Sequence, residues 1–276
     1  MKLKYLGTAA AEGVPAIFCD CETCRYVRKH GGKDVRGRSQ AIVDNKILID
    51  FPADTYRNTL RYNIDLSKIR HLLITHNHED HIYPTEFKMI IDGFTNLPKG
   101  YPPFNVYCAD DVASLISEYE EKSPENLKIN IIEPFKPFEI LGYKITALKA
   151  IHGTPDMKPY IYLIQKDEKA LLYATDTDIF PEETWKYLEK TAPYISMVSF
   201  DCTNGTDEEM PYIGHMCFGK NRICRDRLLK LGLIDKKTKI YVNHFSHNWP
   251  ILHKDLVKKG RKEGFRPSYD GLEVSF

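Results

Sequence analysis

The run Thr75-His76-Asn77-His78-Glu79-Asp80-His81, directly after the apolar stretch Leu72-Leu73-Ile74, restricts this chain more than any other segment. Three of its ten histidines and two of its acids fall between positions 76 and 81. Residues 69–75 read as a buried strand, and a strand ending in so many polar groups needs a tip where they are used. Side chains of an extended segment alternate, so His76 and His78 point the same way. If the chain then turns into a helix, Asp80 and His81 face a second point beside the first. Neutral imidazoles with a carboxylate form a ligand set for Zn, Mn or Fe. An ordinary polar loop is the alternative reading, and the density of donors argues against it.

The remaining pattern is that of a layered α/β fold. Runs rich in Ile, Val, Leu and Tyr predict strands at 2–6, 41–43, 46–50, 104–108, 144–150, 160–165, 170–175, 195–200 and 239–243. Helical patterns fall at 53–61, 85–91, 111–120, 182–190, 218–231 and 251–259. Several strands follow one another directly, which favours mixed sheets over a purely parallel doubly wound one. With no Ser/Gly/Pro linker and no repeat, residues 1–276 read as a single domain.

Apolar residues make up 42% and charged residues 28%, which excludes disordered, collagenous and coiled-coil classes. Lysine and arginine total 39 against 38 acids, so bulk charge offers nucleic acid no purchase. No uninterrupted apolar run approaches the ~18 residues of a membrane span. Between Met1-Lys2-Leu3-Lys4 and Ala9-Ala10-Ala11 lie only Tyr5, Leu6, Gly7 and Thr8. That is far short of the ~7–15 apolar residues of a signal peptide, so a cytoplasmic protein is expected.

His76-Asn77-His78-Glu79-Asp80-His81 resembles the H-x-H-x-D-H signature of the metallo-β-lactamase superfamily, whose fold is an αββα sandwich of two mixed sheets flanked by helices. Further candidates recur in order behind strand-like runs: His152 after 145–151, Asp176 after 170–175 and His244 after 239–243. Tyr173-Ala174-Thr175-Asp176-Thr177 is similar to the family's strand-then-Asp-Thr element. Ile47-Leu48-Ile49-Asp50 is similar to its first motif, whose aspartate supports the histidine loop. The resemblance implies two divalent cations, Zn or Mn or Fe, as cofactors. One would sit on His76, His78 and His152, the other on Asp80, His81 and His244, with Asp176 bridging. Asp178 is a rival for the bridge, but the Asp176-Thr177 pairing favours Asp176.

Of seven cysteines, Cys19, Cys21 and Cys24 cluster, while Cys108, Cys202, Cys217 and Cys224 are scattered. A secreted disulfide framework belongs to much smaller chains. The cluster therefore reads as metal binding and the other four as small buried hydrophobes. Together with His247, the cluster resembles the PhnP-like phosphoribosyl cyclic phosphodiesterase branch, where three cysteines and a histidine hold a structural zinc. The flanks Leu6-Gly7-Thr8, Gly13-Val14-Pro15 and Tyr269-Asp270-Gly271-Leu272-Glu273-Val274 agree. In phosphodiesterases of the superfamily a Gly-His element placed like Gly214-His215 protonates the leaving oxygen. His215 and Asp80 are accordingly the implied catalytic residues.

The implied reaction is attack of a metal-activated hydroxide on a small-molecule phosphodiester, a ribosyl cyclic phosphate in the nearest case, with His215 as acid. Neither nucleic acid nor membrane is an expected partner, and the oligomeric state stays open, a homodimer included. Three other readings compete: hydrolysis of a thioester, lactone or amide at the same ligands, a tRNase Z-like nuclease, and a PqqB-like cofactor-biosynthesis protein. The near-neutral charge argues against the nuclease, and the complete H-x-H-x-D-H pattern against the PqqB-like reading. Asp201-Cys202-Thr203-Asn204 reads as a possible lining of the site without an assigned role. Arg36, Arg38 and Ser39 are either phosphate contacts or solvated, and Asp270 could be a turn residue.

Overall fold

A computed structural model describes every residue except 209–212 and 251. The first half runs β1 (Lys2–Gly7), α1 (Glu22–His30), β2 (Gln40–Val43), β3 (Ile47–Ile49), α2 (Thr55–Tyr62), β4 (His71–Leu73), β5 (Phe104–Cys108), α3 (Asp110–Lys122) and β6 (Leu127–Ile131). The second half runs β7 (Phe138–Ile140), β8 (Tyr143–Lys149), β9 (Tyr160–Lys166), β10 (Lys169–Ala174), α4 (Glu182–Thr191), β11 (Met197–Asp201) and α5 (Phe218–Lys230). It closes with β12 (Lys239–Asn243), α6 (His253–Glu263), β13 (Arg266–Pro267) and β14 (Glu273–Ser275). Two seven-stranded sheets result among the described residues, ordered β14-β1-β2-β3-β4-β5-β6 and β13-β12-β11-β10-β9-β8-β7. Each is mixed, antiparallel on one side and parallel on the other.

Strand alternation explains the layers. In β10, Leu171 and Tyr173 pack between the sheets with Tyr5, Ile47 and Ile49, while Ala170, Leu172 and Ala174 pack outward under the helices. Both faces of such a strand are buried, so it is apolar throughout. Trp185 and Leu188 of α4, Cys224 and Leu228 of α5, and Leu256 of α6 cover the outer face of the second sheet. Val112, Ala113 and Ile116 of α3 cover that of the first. The architecture is the expected αββα sandwich.

Strand direction places the site. β3, β4, β5 and β6 are mutually parallel, as are β10, β11, β12 and β13. β8 is antiparallel to β9, which is antiparallel to β10, so β8 runs with the parallel set. Asp50, His76, His152, Asp176, Asp201 and His244 therefore all stand at or just beyond carboxyl ends of strands, the edge where α/β sheets present functional loops.

Several expectations are corrected. The strand expected at 69–75 is ordered only over β4, because Thr75 and His76 leave the ladder for the site. His78–Ile82 is one turn, with both His81 N–H and Ile82 N–H donating to His78 O, rather than the start of a helix. The helix expected at 85–91 is a 3₁₀ run, Pro84–Ile90. Helix α1 was not expected: only Cys24 and Val27 of its residues are buried, too thin an apolar stripe to read. β6, β7, β13 and β14 also escaped, the last two being two or three residues long. The helix expected from 251 starts at His253, and residue 251 lies outside the described ones. Cys108, Cys202, Cys217 and Cys224 are all fully buried. No helix among the described residues is long and apolar enough to cross a membrane.

Candidate metal centre

At the carboxyl edge two donor groups meet. His76, His78 and His152 form one, and Asp80, His81, Asp176 and His244 the other, the donor atoms of each lying within 4.8 Å of one another. His78 Nδ1 is 3.0 Å from both His76 Nε2 and His152 Nε2. Two nitrogens bound tetrahedrally to one cation at about 2.0 Å lie roughly 3.3 Å apart, so the spacing suits a shared ion. Asp176 touches both groups, with Oδ2 at 2.6 Å from His81 Nε2, 3.5 Å from His76 Nε2 and 4.0 Å from His152 Nε2. Asp80 Oδ2 stands 3.2 Å from His81 Nε2 and 3.7 Å from His244 Nε2. His81 Nε2, His244 Nε2 and Asp176 Oδ1 are buried and face other donors of the cluster without forming an aligned hydrogen bond. Buried polar atoms nearly always make aligned hydrogen bonds, so donor atoms that converge without them, together with the donor chemistry, fit divalent cations.

For His76, His81, His152 and His244 the opposite ring nitrogen is held from behind, which fixes tautomer and ring direction. Asp50 Oδ2 lies 2.7 Å from His81 Nδ1, while Asp50 Oδ1 accepts from Thr75 N–H and Oγ1–H. His76 Nδ1 meets Thr75 Oγ1 at 3.0 Å, His244 Nδ1 meets Thr203 Oγ1 at 2.8 Å, and His152 Nδ1 donates to Gly214 O at 2.9 Å. Burial, followed by neighbouring charge, pushes His76 well below the usual imidazole range, and burial also lowers His78 and His152. His81 goes the other way: burial opposes its proton, but Asp80, Asp176 and Asp50 outweigh it. The acids are held below the usual carboxylate range. Burial would raise Asp176, yet His244, His81 and His152 lower it, and His81 and His244 do the same for Asp80.

His215 stands at the rim. Its ring is 4.8 Å from that of His152 and stacks on His244 at 5.8 Å. Its Nδ1 lies 3.1 Å from Thr203 Oγ1, 3.3 Å from Asp201 Oδ2 and 3.4 Å from Asp176 Oδ1. Burial works against its proton, but Asp201, then Asp176 and Asp80, raise it to about 9. Asp201 is the residue whose role the sequence left unassigned. Fully buried at the end of β11, it accepts from Thr203 N–H, Thr203 Oγ1–H and Met216 N–H, orienting the loops that carry His215 and His244. Its position at a strand tip, like Asp50 and Asp176, was the available signal.

Residues 45–225 match the family described as Beta-lactamase superfamily domain. The chain belongs to the beta-lactamase superfamily. A diphosphatase of the PhnP family is similar at 22% identity, with a TM-score of 0.72 over 100% of this chain and 97% of the other. Zinc-bound PqqB from Methylobacterium extorquens is similar at 18% identity, with a TM-score of 0.78 over 100% of both chains. The short form of human tRNase Z follows at 14%, with a TM-score of 0.67 over 100% of this chain and 99% of that one. No curated protein matches the sequence. These likenesses are likenesses of fold.

Within this beta-lactamase superfamily chain, several other candidates lie away from the donors. Asp178 turns from the histidines, Oδ2 pairing with Lys220 Nζ at 2.7 Å. Arg36 is buried, donating to Thr8 Oγ1, Ser268 O and His253 Nδ1, so it braces loops rather than meeting a phosphate. Arg38 pairs with Asp54, and Asp270 accepts from Thr8 Oγ1–H and Gly37 N–H as a loop clamp.

The second cluster is separate from the histidine site. Cys19, Cys21, Cys24 and His247 gather their donors within 4.8 Å. His247 Nδ1 is 3.6 Å from Cys19 Sγ and 3.7 Å from Cys21 Sγ. A tetrahedral zinc with Zn–S about 2.3 Å and Zn–N about 2.0 Å separates S from N by roughly 3.5 Å, so the four residues fit one. Cys21 caps α1, its sulfur accepting from Cys24 N–H. That bond, then His247, draws the Cys21 thiol down to about 6, whereas burial pushes Cys24 up to about 11. A lowered thiol at a helix N-terminus favours thiolate, the form that binds metal.

Proposed function

We propose that the chain is a divalent-metal-dependent phosphodiesterase acting on a small phosphodiester. His76, His78 and His152 would hold one cation and Asp80, His81 and His244 the other, with Asp176 shared, zinc or manganese being the metals these donors suit. Cys19, Cys21, Cys24 and His247 would hold a structural zinc. When bound, the catalytic cations supply Lewis acidity toward phosphoryl oxygens and lower the pKa of water.

His215 is the observation that carries this reading. It adds a histidine beyond the two ligand groups at the rim, anchored at Nδ1 by Asp201 and Thr203, which leaves Nε2 on the far edge of the ring. An alkoxide leaves phosphorus poorly unless it receives a proton, and a positioned imidazole supplies one. Asp50, Thr75, Thr203 and Gly214 hold the ligand rings in fixed directions, so little reorganisation accompanies the reaction. A thioester, whose thiolate leaves without a proton, has less need of such a donor. The fold likeness to a PhnP-family diphosphatase supports phosphorus–oxygen chemistry further.

The test is to load the protein with zinc or manganese and assay bis(p-nitrophenyl) phosphate and a ribosyl cyclic phosphate, with a thioester and a lactone alongside. Turnover of the phosphodiesters, lost in His215→Ala for the ribosyl substrate, is the expected result. With bound metal verified by elemental analysis, hydrolysis of the thioester or lactone alone overturns the proposal.

A further inference from the structure

One largely buried ion pair lies against the site without contributing a donor to it. Asp178 Oδ2 and Lys220 Nζ are 2.7 Å apart, with side chains 12% and 13% exposed. Asp178 comes two residues after Asp176, and Lys220 stands in the first turn of α5. Asp178 Oδ2 also accepts from Gly214 N–H at 3.2 Å, and Lys220 Nζ donates to His215 O at 3.1 Å. The pair thus grips the Gly214-His215 segment at both ends. Between these grips is Gly214 O, the acceptor for His152 Nδ1–H. Asp178 N–H donates to Ile151 O at 2.9 Å, tying in the residue before His152. Gly214 has little freedom to adjust: its φ is +108°, and a Cβ there would sit 3.3 Å from His152 Nδ1.

We infer that Asp178 and Lys220 are positioning residues: through the Gly214-His215 segment they set the direction of His152 Nε2 and the place of the His215 ring. A buried pair is a weak source of net stability, but removing one partner leaves an uncompensated charge and frees what the pair held. The arm through His215 rests on the phosphodiesterase reading; the arm through His152 rests on metal binding alone. Groups that orient a ligating histidine change metal affinity by about 10–100-fold.

Lys220→Met, Lys220→Arg and Asp178→Asn test this by zinc titration against a competing chelator, thermal unfolding, and steady-state kinetics on an alkyl and a p-nitrophenyl phosphodiester. Lys220→Met is expected to weaken zinc binding by the catalytic pair about tenfold. Its kcat on the alkyl ester should fall about 100-fold, with KM nearly unchanged and a much smaller loss on the p-nitrophenyl ester, whose leaving group needs no proton. Lys220→Arg should restore most of both. If Lys220→Met does not fold, Asp178→Asn, which keeps volume and one acceptor oxygen, is read by the same criteria. Unchanged zinc affinity with equal losses on both esters overturns the inference. If the unaltered protein hydrolyses no phosphodiester, the functional reading fails alone, and zinc affinity still decides: tenfold weakening upholds the positioning role, and no change overturns it.

Discussion

Asp50, Asp176 and His244 adopt left-handed backbone, with φ of 65°, 52° and 64°. For residues other than glycine this costs on the order of 1–3 kcal/mol each, and such outliers gather at functional sites. All three are strand-tip residues whose turn aims a side chain at the donor groups. Asp176→Ala should leave circular dichroism unchanged while catalytic metal content and phosphodiester turnover are lost, as read by elemental analysis and assay; retention of both would remove Asp176 from the shared position. A second residue-scale prediction concerns pH. Burial, then Arg36 and Lys33, depress His253 to about 4, and Arg36 Nη2 lies 3.2 Å from its Nδ1. An unfolded histidine titrates near 6.5, so between about 4 and 6.5 the unfolded chain binds more protons and stability rises with pH. The contribution, on the order of 2 kcal/mol, should be complete above about 6.5 and lost as pH falls toward 4. Urea unfolding of the unaltered protein and His253→Gln should differ in pH slope across that window, and identical slopes would contradict the assignment.

Among elements, those with strong local patterning were legible and those held by distant contacts were not. β9 and β10 read as strands because nearly every residue is apolar, being buried on both faces. Helix α1 was hidden, since its cap is a cysteine and its buried stripe is two residues wide. β1 shows a third kind of constraint. Its last residue, Gly7, lies where pairing with β2 shifts register, and a Cβ there would stand 1.9 Å from Arg38 O. A backbone carbonyl cannot rotate away as a side chain would. Gly7→Ala should therefore cost about 2 kcal/mol or more, measured by denaturant unfolding; a change within ~0.5 kcal/mol would show that the strand pair yields.

At the scale of the whole molecule, the cysteine cluster and the histidine site are joined through the chain's first loop. Phe245 N–H donates to Thr8 O and Ala10 N–H to Phe245 O, so the segment from His244 to His247 is stitched to the loop leading to Cys19. Structural zinc contributes directly to folding free energy. Cys21→Ser should lose about one of roughly three metals per chain and lower Tm by about 5–10 °C, the equivalent of roughly 2–3 kcal/mol for a domain of this size. The catalytic pair should remain occupied. A fall in catalytic metal with Tm unchanged, the reverse of this pattern, would mean the two sites are misassigned.

The histidine run, the ordered candidates His152, Asp176 and His244, and the grouping of three cysteines were all readable from the chain alone. The histidine run and the cysteine grouping rest on side-chain alternation and ligand chemistry, whereas His152, Asp176 and His244 were picked out by the resemblance to the superfamily's ordered pattern. Tertiary structure alone turned Asp178 toward Lys220 behind the rim, gave Asp201 its role as an orienting acid and sent Arg36 into a buried brace. Those outcomes depend on the angles at which strands distant in sequence meet and on which backbone group each carboxylate reaches. Connectivity carries no record of either, because both are set only when the two sheets pack.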